Sequence, residues 1–167
     1  MTQLLGTSSA NAWFGTAASS LDKGHLAAKA DFAYASQQAA TFYYLNANPQ
    51  FHAFNSINWL KLEKSIRKRA AEAGKIDIYS GVKDVLNLHD GSKRVDVYLD
   101  DRNELPVPQF FWKVVHTELG NKKYAFIGFN NPIKPEFFHT EWFYENNFCY
   151  DKCWHGEFWW LQDELND

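Results

Sequence analysis

The sequence predicts one α+β domain with a mainly antiparallel sheet and one long helix. Three observations carry that reading. The stretch "INWLKLEKSIRKRAAEAG" has apolar residues at helical spacing, with Asn55 or Ser56 as a capping residue before it and Gly74 at its end. Four later stretches combine β-branched and aromatic residues, and short connections separate several of them. The 167 residues suffice for one substantial core, and they contain neither an internal repeat nor an interdomain linker.

Taken in order, residues 1–20 are rich in Ser, Ala, Thr and Asn and read as a loose leader before a single domain over 21–167. Asp22-Lys23-Gly24-His25 reads as a tight turn. "TFYYLNA" (41–47) has strand character and stops at an Asn-Pro-Gln sequence. The helix then starts near Asn55 or Ser56 and ends at Gly74, a natural residue for the left-handed position after a helix. Strands are expected at "KIDIYSG" (75–81), "KRVDVYLD" (93–100), "PQFFWKVV" (108–115) and "KYAFIGF" (123–129). From Asn130 the chain is aromatic and irregular. Its rings from Trp142 to Trp160 suit core packing first and a contact surface second.

Composition narrows the function. Hydrophobic residues are 46% and charged residues 22%, as in ordinary globular proteins, so the high aromatic share of 17% is what stands out. Large rings fill cores, and they also make platforms on which bases stack. The net charge of -3 gives no overall attraction to a polyanion, so nucleic-acid binding needs a local basic patch. Lys61, Lys64, Lys68, Arg69 and Lys113 could form one. No apolar run is long enough to cross a membrane as a helix. The segment "MTQLLGTSSANAWFG" lacks the basic start and continuous apolar stretch of a signal peptide, which suits a cytoplasmic chain or a mature or trimmed form. Cys149 and Cys153 suit a helical turn or a small disulfide loop, and with His155 they make a poor zinc site.

The helix also carries polar residues where chemistry could occur. At about 100° per residue, Trp59, Leu62, Ile66 and Ala70 form the core-facing stripe, while Asn55, Glu63 and Arg67 line its edge. Glu63 and Arg67 could simply be a helix-stabilising pair four residues apart, with Asn55 as the cap. Equally, an asparagine carbonyl at a helix N-terminus can serve a hard cation such as magnesium, which keeps most of its waters. His25 is distinguished from the other histidines by its neighbours: a glycine before it, a cation two back and an acid three back.

Together these motifs resemble the DNA/RNA non-specific endonuclease family, with its ββα-metal (His-Me finger) site. The family pattern is D-R-G-H, then S-N-x-x-P-Q, then N-x-x-x-W-x-x-L-E-x-x-x-R. Here Asp22-Lys23-Gly24-His25, Asn46 with Pro49-Gln50, and Asn55, Trp59, Leu62, Glu63 and Arg67 stand at those positions. "VPQFFWKVV" and "AFIGFNNP" resemble two later strands of the family, so the likeness runs over about residues 21–132. "LDKGHLAAKADF" and the cysteine-bearing tail look closest to the secreted animal branch, which implies an extracellular protein. Family members usually have a longer segment before the first motif than the 21 residues that precede Asp22 here.

The resemblance implies a magnesium-dependent endonuclease that hydrolyses DNA and RNA without sequence preference, with manganese able to replace magnesium. His25 would be the general base, Asn55 the direct protein ligand of the metal, and Glu63 the residue holding a metal-bound water. Arg67 would bind phosphate, and Asn46 would orient His25 or a neighbouring group. Lys23 stands where arginine is common and would offset charge on the phosphate, with Lys64 adding to substrate binding. Asp22 is expected as a structural acceptor for the turn. A homodimer, as in many relatives, would cover exposed sheet edges. The alternative is a nuclease-like binding protein that keeps the site and turns over poorly.

Overall fold

The computed structural model describes residues 20–89, 92–117, 122–131 and 158–161. The predicted leader, Cys149, Cys153 and most of the aromatic tail lie outside these residues. Among the described residues no helix is long and apolar enough to cross a membrane.

The chain enters the described fold as a strand. β1 (Leu21–His25) pairs antiparallel with β2 (Ala47–Phe51), with His25 opposite Ala47 and Leu21 opposite Phe51. The turn expected at Asp22–His25 is therefore a strand. The reason lies in Gly24, which is needed for space rather than for a bend: its φ is not positive, and a Cβ there would sit 2.5 Å from the Gln50 Cβ.

Between β1 and β2 lie a short 3-10 turn (Lys29–Asp31), helix α1 (Ala35–Ala40) and a second 3-10 turn (Tyr44–Asn46). The strand expected over 41–47 is thus shifted, since the Asn46 N–H donates to the Tyr43 carbonyl at 2.8 Å and closes a turn there. The strand begins only at Ala47 and runs through Pro49. A two-stranded ribbon has an open edge, where a residue lacking an N–H is tolerated.

β2 feeds directly into the long helix. Phe54–Trp59 is wound as a π-helix, and α2 (Leu60–Ala73) continues it to Gly74, whose φ of 80° ends the helix as expected. Asn55 is accordingly not an N-cap, because helical backbone already begins at His52. Ser56 does not cap either; its hydroxyl donates back to the His52 carbonyl at 2.7 Å.

The second layer is an antiparallel sheet of β3 (Ile76–Val85), β6 (Pro108–Thr117), β7 (Lys122–Phe129) and β8 (Phe158–Leu161) in that spatial order. A small ribbon of β4 (Asn87–His89) and β5 (Arg94–Asp96) stands beside it. The helix stripe packs onto the middle of this sheet. Trp59, Leu62 and Ile66 share a buried cluster with Phe51, Phe54, Phe111, Val115 and Phe126. The Phe54, Trp59 and Phe111 ring centroids lie 5.6–5.9 Å apart at tilted or edge-on angles. At about 1.5–3 kcal/mol for each large side chain removed from water, this cluster is the main force holding helix to sheet.

One buried side chain joins the two layers. Asn130, directly after β7, accepts from the Phe51 N–H at 2.8 Å and donates to the Pro49 and Pro108 carbonyls at 3.0 and 2.9 Å. It satisfies backbone groups on the outer edge of β2 that no strand among the described residues reaches.

Candidate active site

The site is built where β1, β2 and the helix meet. Strand alternation sends Asp22 and Gly24 to one face of β1, and Lys23 and His25 to the other. On the helix side, one Asp22 oxygen, Oδ2, accepts from Asn55 Nδ2 at 3.0 Å and pairs with His52 Nδ1 at 2.8 Å. Asp22 is an acceptor, as expected, but it serves the helix start instead of a turn. Its bond fixes the Asn55 carboxamide through the nitrogen, so that Oδ1 is left as a free acceptor among the described residues. An oxygen oriented in this way by a carboxylate fits a hard cation that retains most of its waters. Among the described residues no three His, Cys, Asp or Glu side chains gather as a metal cluster, and such a cation does not need one.

His25 stands at the end of β1 with its ring edge-on to Phe42, centroids 4.8 Å apart. Burial holds its pKa below the ordinary 6.5; a hydrogen bond with the Lys23 backbone opposes this, and the Lys29 cation adds to it. Its Nε2 is buried and has no hydrogen-bond partner among the described residues. The imidazole is therefore held neutral near neutral pH, with one nitrogen unused.

Asn46 fixes the backbone just beyond this histidine. Its Oδ1 accepts from the Ala27 N–H at 2.9 Å, and its Nδ2 donates to the carbonyls of Ala27 and Thr41 at 3.0 and 2.9 Å. Asn46 touches a neighbouring segment and not the His25 ring. Lys113 braces the same place from the sheet, where its Nζ donates to the Leu26 carbonyl at 2.5 Å and to Ser80 Oγ at 2.9 Å and lies 5.2 Å from the Trp59 ring centroid. The surface role expected for Lys113 is thus corrected: it is only 3% exposed. Strand periodicity gives the reason, since Phe111, Lys113, Val115 and Thr117 all face inward on β6.

Glu63 lies within electrostatic reach of this buried lysine, without a hydrogen bond or ion pair to it. Burial raises the Glu63 pKa, the Lys113 charge opposes the rise, Asp31 adds to it, and Arg67 opposes it. Lys113 is pushed the other way by its own burial, with Glu63 and then Asp31 partly restoring its charge. Arg67 pairs with Asp31, Nη1 to Oδ1 at 2.9 Å, so the simple Glu63–Arg67 helix pair is replaced by a bridge to the 3-10 turn after β1. Lys23 is exposed, with Nζ 4.9 Å from the Tyr44 ring centroid. Lys64 is exposed on α2 and has no hydrogen-bond or ion-pair partner among the described residues.

Lys113, which reaches the Leu26 carbonyl, shares its electrostatics with Glu63 and Asp31, and Asp31 pairs with Arg67. Asn55 is held separately by Asp22, and Asn46 by Ala27 and Thr41. Among the described residues no hydrogen bond or ion pair joins any of them to the His25 ring, and Lys64 stays apart. Asp31 and Lys113 were not singled out as site residues from sequence. Lys113 had a legible signal in its inward strand position; Asp31 had none.

A family model described as DNA/RNA non-specific endonuclease matches residues 5–149. A salivary endonuclease of Lutzomyia longipalpis is 33% identical over 134 residues, covering 80% of this chain and 31% of the relative. Nuclease C1 of Cunninghamella echinulata var. echinulata is 31% identical over 117 residues, covering 68% of this chain and 46% of that protein. The chain thus spans less than half the length of either curated relative. A chain in the crystal structure of the EndoG/EndoGI complex, described as showing the mechanism of EndoG inhibition, superposes with a TM-score of 0.54 at 26% identity, over 72% of this chain and 51% of its own length. With the two-strand-and-helix unit in place and the family model matching most of its length, the chain belongs to the DNA/RNA non-specific endonuclease family.

Proposed function

We propose that the chain is a metal-dependent endonuclease that hydrolyses phosphodiester bonds in DNA and RNA without reading sequence. The reading rests most on His25, whose neutral imidazole keeps a buried Nε2 without a partner among the described residues, on the strand whose Asp22 holds Asn55.

In this reading His25 Nε2 takes a proton from water as the water oxygen bonds to phosphorus. The bond from phosphorus to the 3′ oxygen breaks and that oxygen takes a proton from water in the site, leaving a 5′-phosphate and a 3′-hydroxyl. A positioned base of this kind contributes about 10²–10⁴-fold. Lys23 and Arg67 offset the charge that gathers on the phosphate oxygens. Asn46 keeps the histidine in register through the Ala27 backbone, and Glu63, held beside Lys113, orients water in the site. Asn55 would hold a magnesium ion, or manganese in its place, which when bound polarises the phosphate and stabilises the leaving oxygen. The name of the salivary relative supports an extracellular location.

The test is cleavage of plasmid DNA and a structured RNA by the wild type, His25→Ala and Asn55→Ala, each with magnesium and with excess chelator. Cutting of both substrates that needs metal and is lost in both variants is expected. A folded wild type that cuts neither substrate would overturn the proposal in favour of a binding protein.

A further inference from the structure

Directly before Asn46 the chain presents large side chains that the core does not use. Phe42 is 45% exposed, Tyr43 69%, Tyr44 79% and Leu45 96%. Their backbone is nevertheless fixed, since Asn46 holds the Thr41 carbonyl and the Thr41 hydroxyl donates to the Gln38 carbonyl at 2.7 Å. The rings are thus displayed on a rigid turn, which limits the ordering cost of any contact they make.

They are also tied to the candidate base and to two cations. Phe42 meets the His25 ring edge-on. Lys23 Nζ lies 4.9 Å from the Tyr44 ring centroid, and Lys29 Nζ lies 5.6 Å from that of Phe42. Both lysines are exposed. Exposed rings interleaved with exposed cations match an unpaired nucleic-acid strand, whose base faces stack on rings while its phosphates pair with the cations. A duplex hides those base faces.

We propose that Tyr43 and Tyr44 form a stacking platform for unpaired nucleobases next to the scissile phosphate, so that the protein favours single-stranded or locally opened nucleic acid. The placement of that phosphate rests on the nuclease reading above.

The test uses the full chain carrying His25→Ala, so that the probes are not cut, with and without Tyr43→Ala and Tyr44→Ala together. Fluorescence anisotropy measures affinity for a short oligothymidylate, an abasic strand of the same length and a duplex. The tyrosine pair is expected to be worth about tenfold or more on oligothymidylate and less than about twofold on the abasic strand and duplex. Replacing both tyrosines with phenylalanine should retain the single-strand affinity. Equal losses on all three probes, or no loss, would overturn the platform. A changed oligomeric state with unchanged oligothymidylate affinity would do the same and mark the rings as a subunit contact. Cleavage by the chain with His25 restored separates the two readings. Ring-dependent binding without metal-dependent cutting would sink the nuclease while leaving the platform, and His25-dependent cutting without ring-dependent binding would sink the platform alone.

Discussion

Replacing Asn46 with alanine removes three hydrogen bonds at once, to the Ala27 N–H, the Ala27 carbonyl and the Thr41 carbonyl. These tie together the two ends of the excursion between β1 and β2, just past His25. At about 1 kcal/mol net for each bond, the expected loss is near 3 kcal/mol, because the part-buried backbone groups are left without partners. Asn46→Asp separates the contributions. It keeps an acceptor for the Ala27 N–H but turns both donors into an oxygen facing two carbonyls, so it should be at least as damaging as alanine. Urea unfolding followed by tryptophan fluorescence reads the stability. Under conditions where the variants remain folded, cleavage should show kcat falling more than KM, since the substrate contacts remain while the base loses its register. An alanine variant within about 0.5 kcal/mol of wild type that cuts at an unchanged kcat would refute the assignment of Asn46 as a positioning residue.

Three other outcomes are expected. Since burial holds His25 below 6.5, the cleavage rate should stay level as pH falls through that value and decline only beneath it; a midpoint at or above 6.5 contradicts the assignment. The same shift means the unfolded chain binds this proton more tightly, so stability should fall as pH drops through 6.5 towards the folded pKa, and His25→Ala should flatten that slope in melts across the range. Lys113→Met strips a buried charge from Glu63 and two bonds from Leu26 and Ser80; a loss of about 3–5 kcal/mol is expected by chemical denaturation, partly recovered when Glu63→Gln is added. Gly24→Ala drives a methyl into the Gln50 side chain and should cost about 1–3 kcal/mol in the same assay.

The parts of the fold legible from sequence are those with a strong local period. Trp59, Leu62 and Ile66 form the buried helix stripe as the wheel predicts, Gly74 ends the helix, and β3, β6 and β7 fall close to their expected ranges. β1 and β2 escape such a reading because their cues are not local. Each is stabilised by the other across the intervening turns, and Gly24 is required by its contact with Gln50 on the partner strand. β5 falls inside the strand expected over 93–100 but holds only three residues of it, while β4, also three residues, is too short for alternation to register. For the candidate site, motif spacing nominates His25, Asn46, Asn55, Glu63 and Arg67. It cannot reveal that Arg67 reaches back to Asp31 or that Lys113 turns inward beneath Leu26, since both depend on how the helix lies across the sheet.

The π-wound stretch from Phe54 to Trp59 acts as a phase adjuster. A π segment accommodates an extra residue in the helical winding, so it resets the angle between the turn on its N-terminal side and the α-helix on its C-terminal side. Asn55 can then turn towards Asp22 while Trp59, Leu62 and Ile66 face the sheet and Glu63 and Arg67 keep their own bearings. Deleting one residue within 56–58 should let the helix relax to ordinary α winding, with the core stripe intact and Asn55 rotated away from β1. Such a shortened chain would fold and yet lose the carboxamide that Asp22 holds in place, so the candidate site depends on a residue count as well as on residue identities.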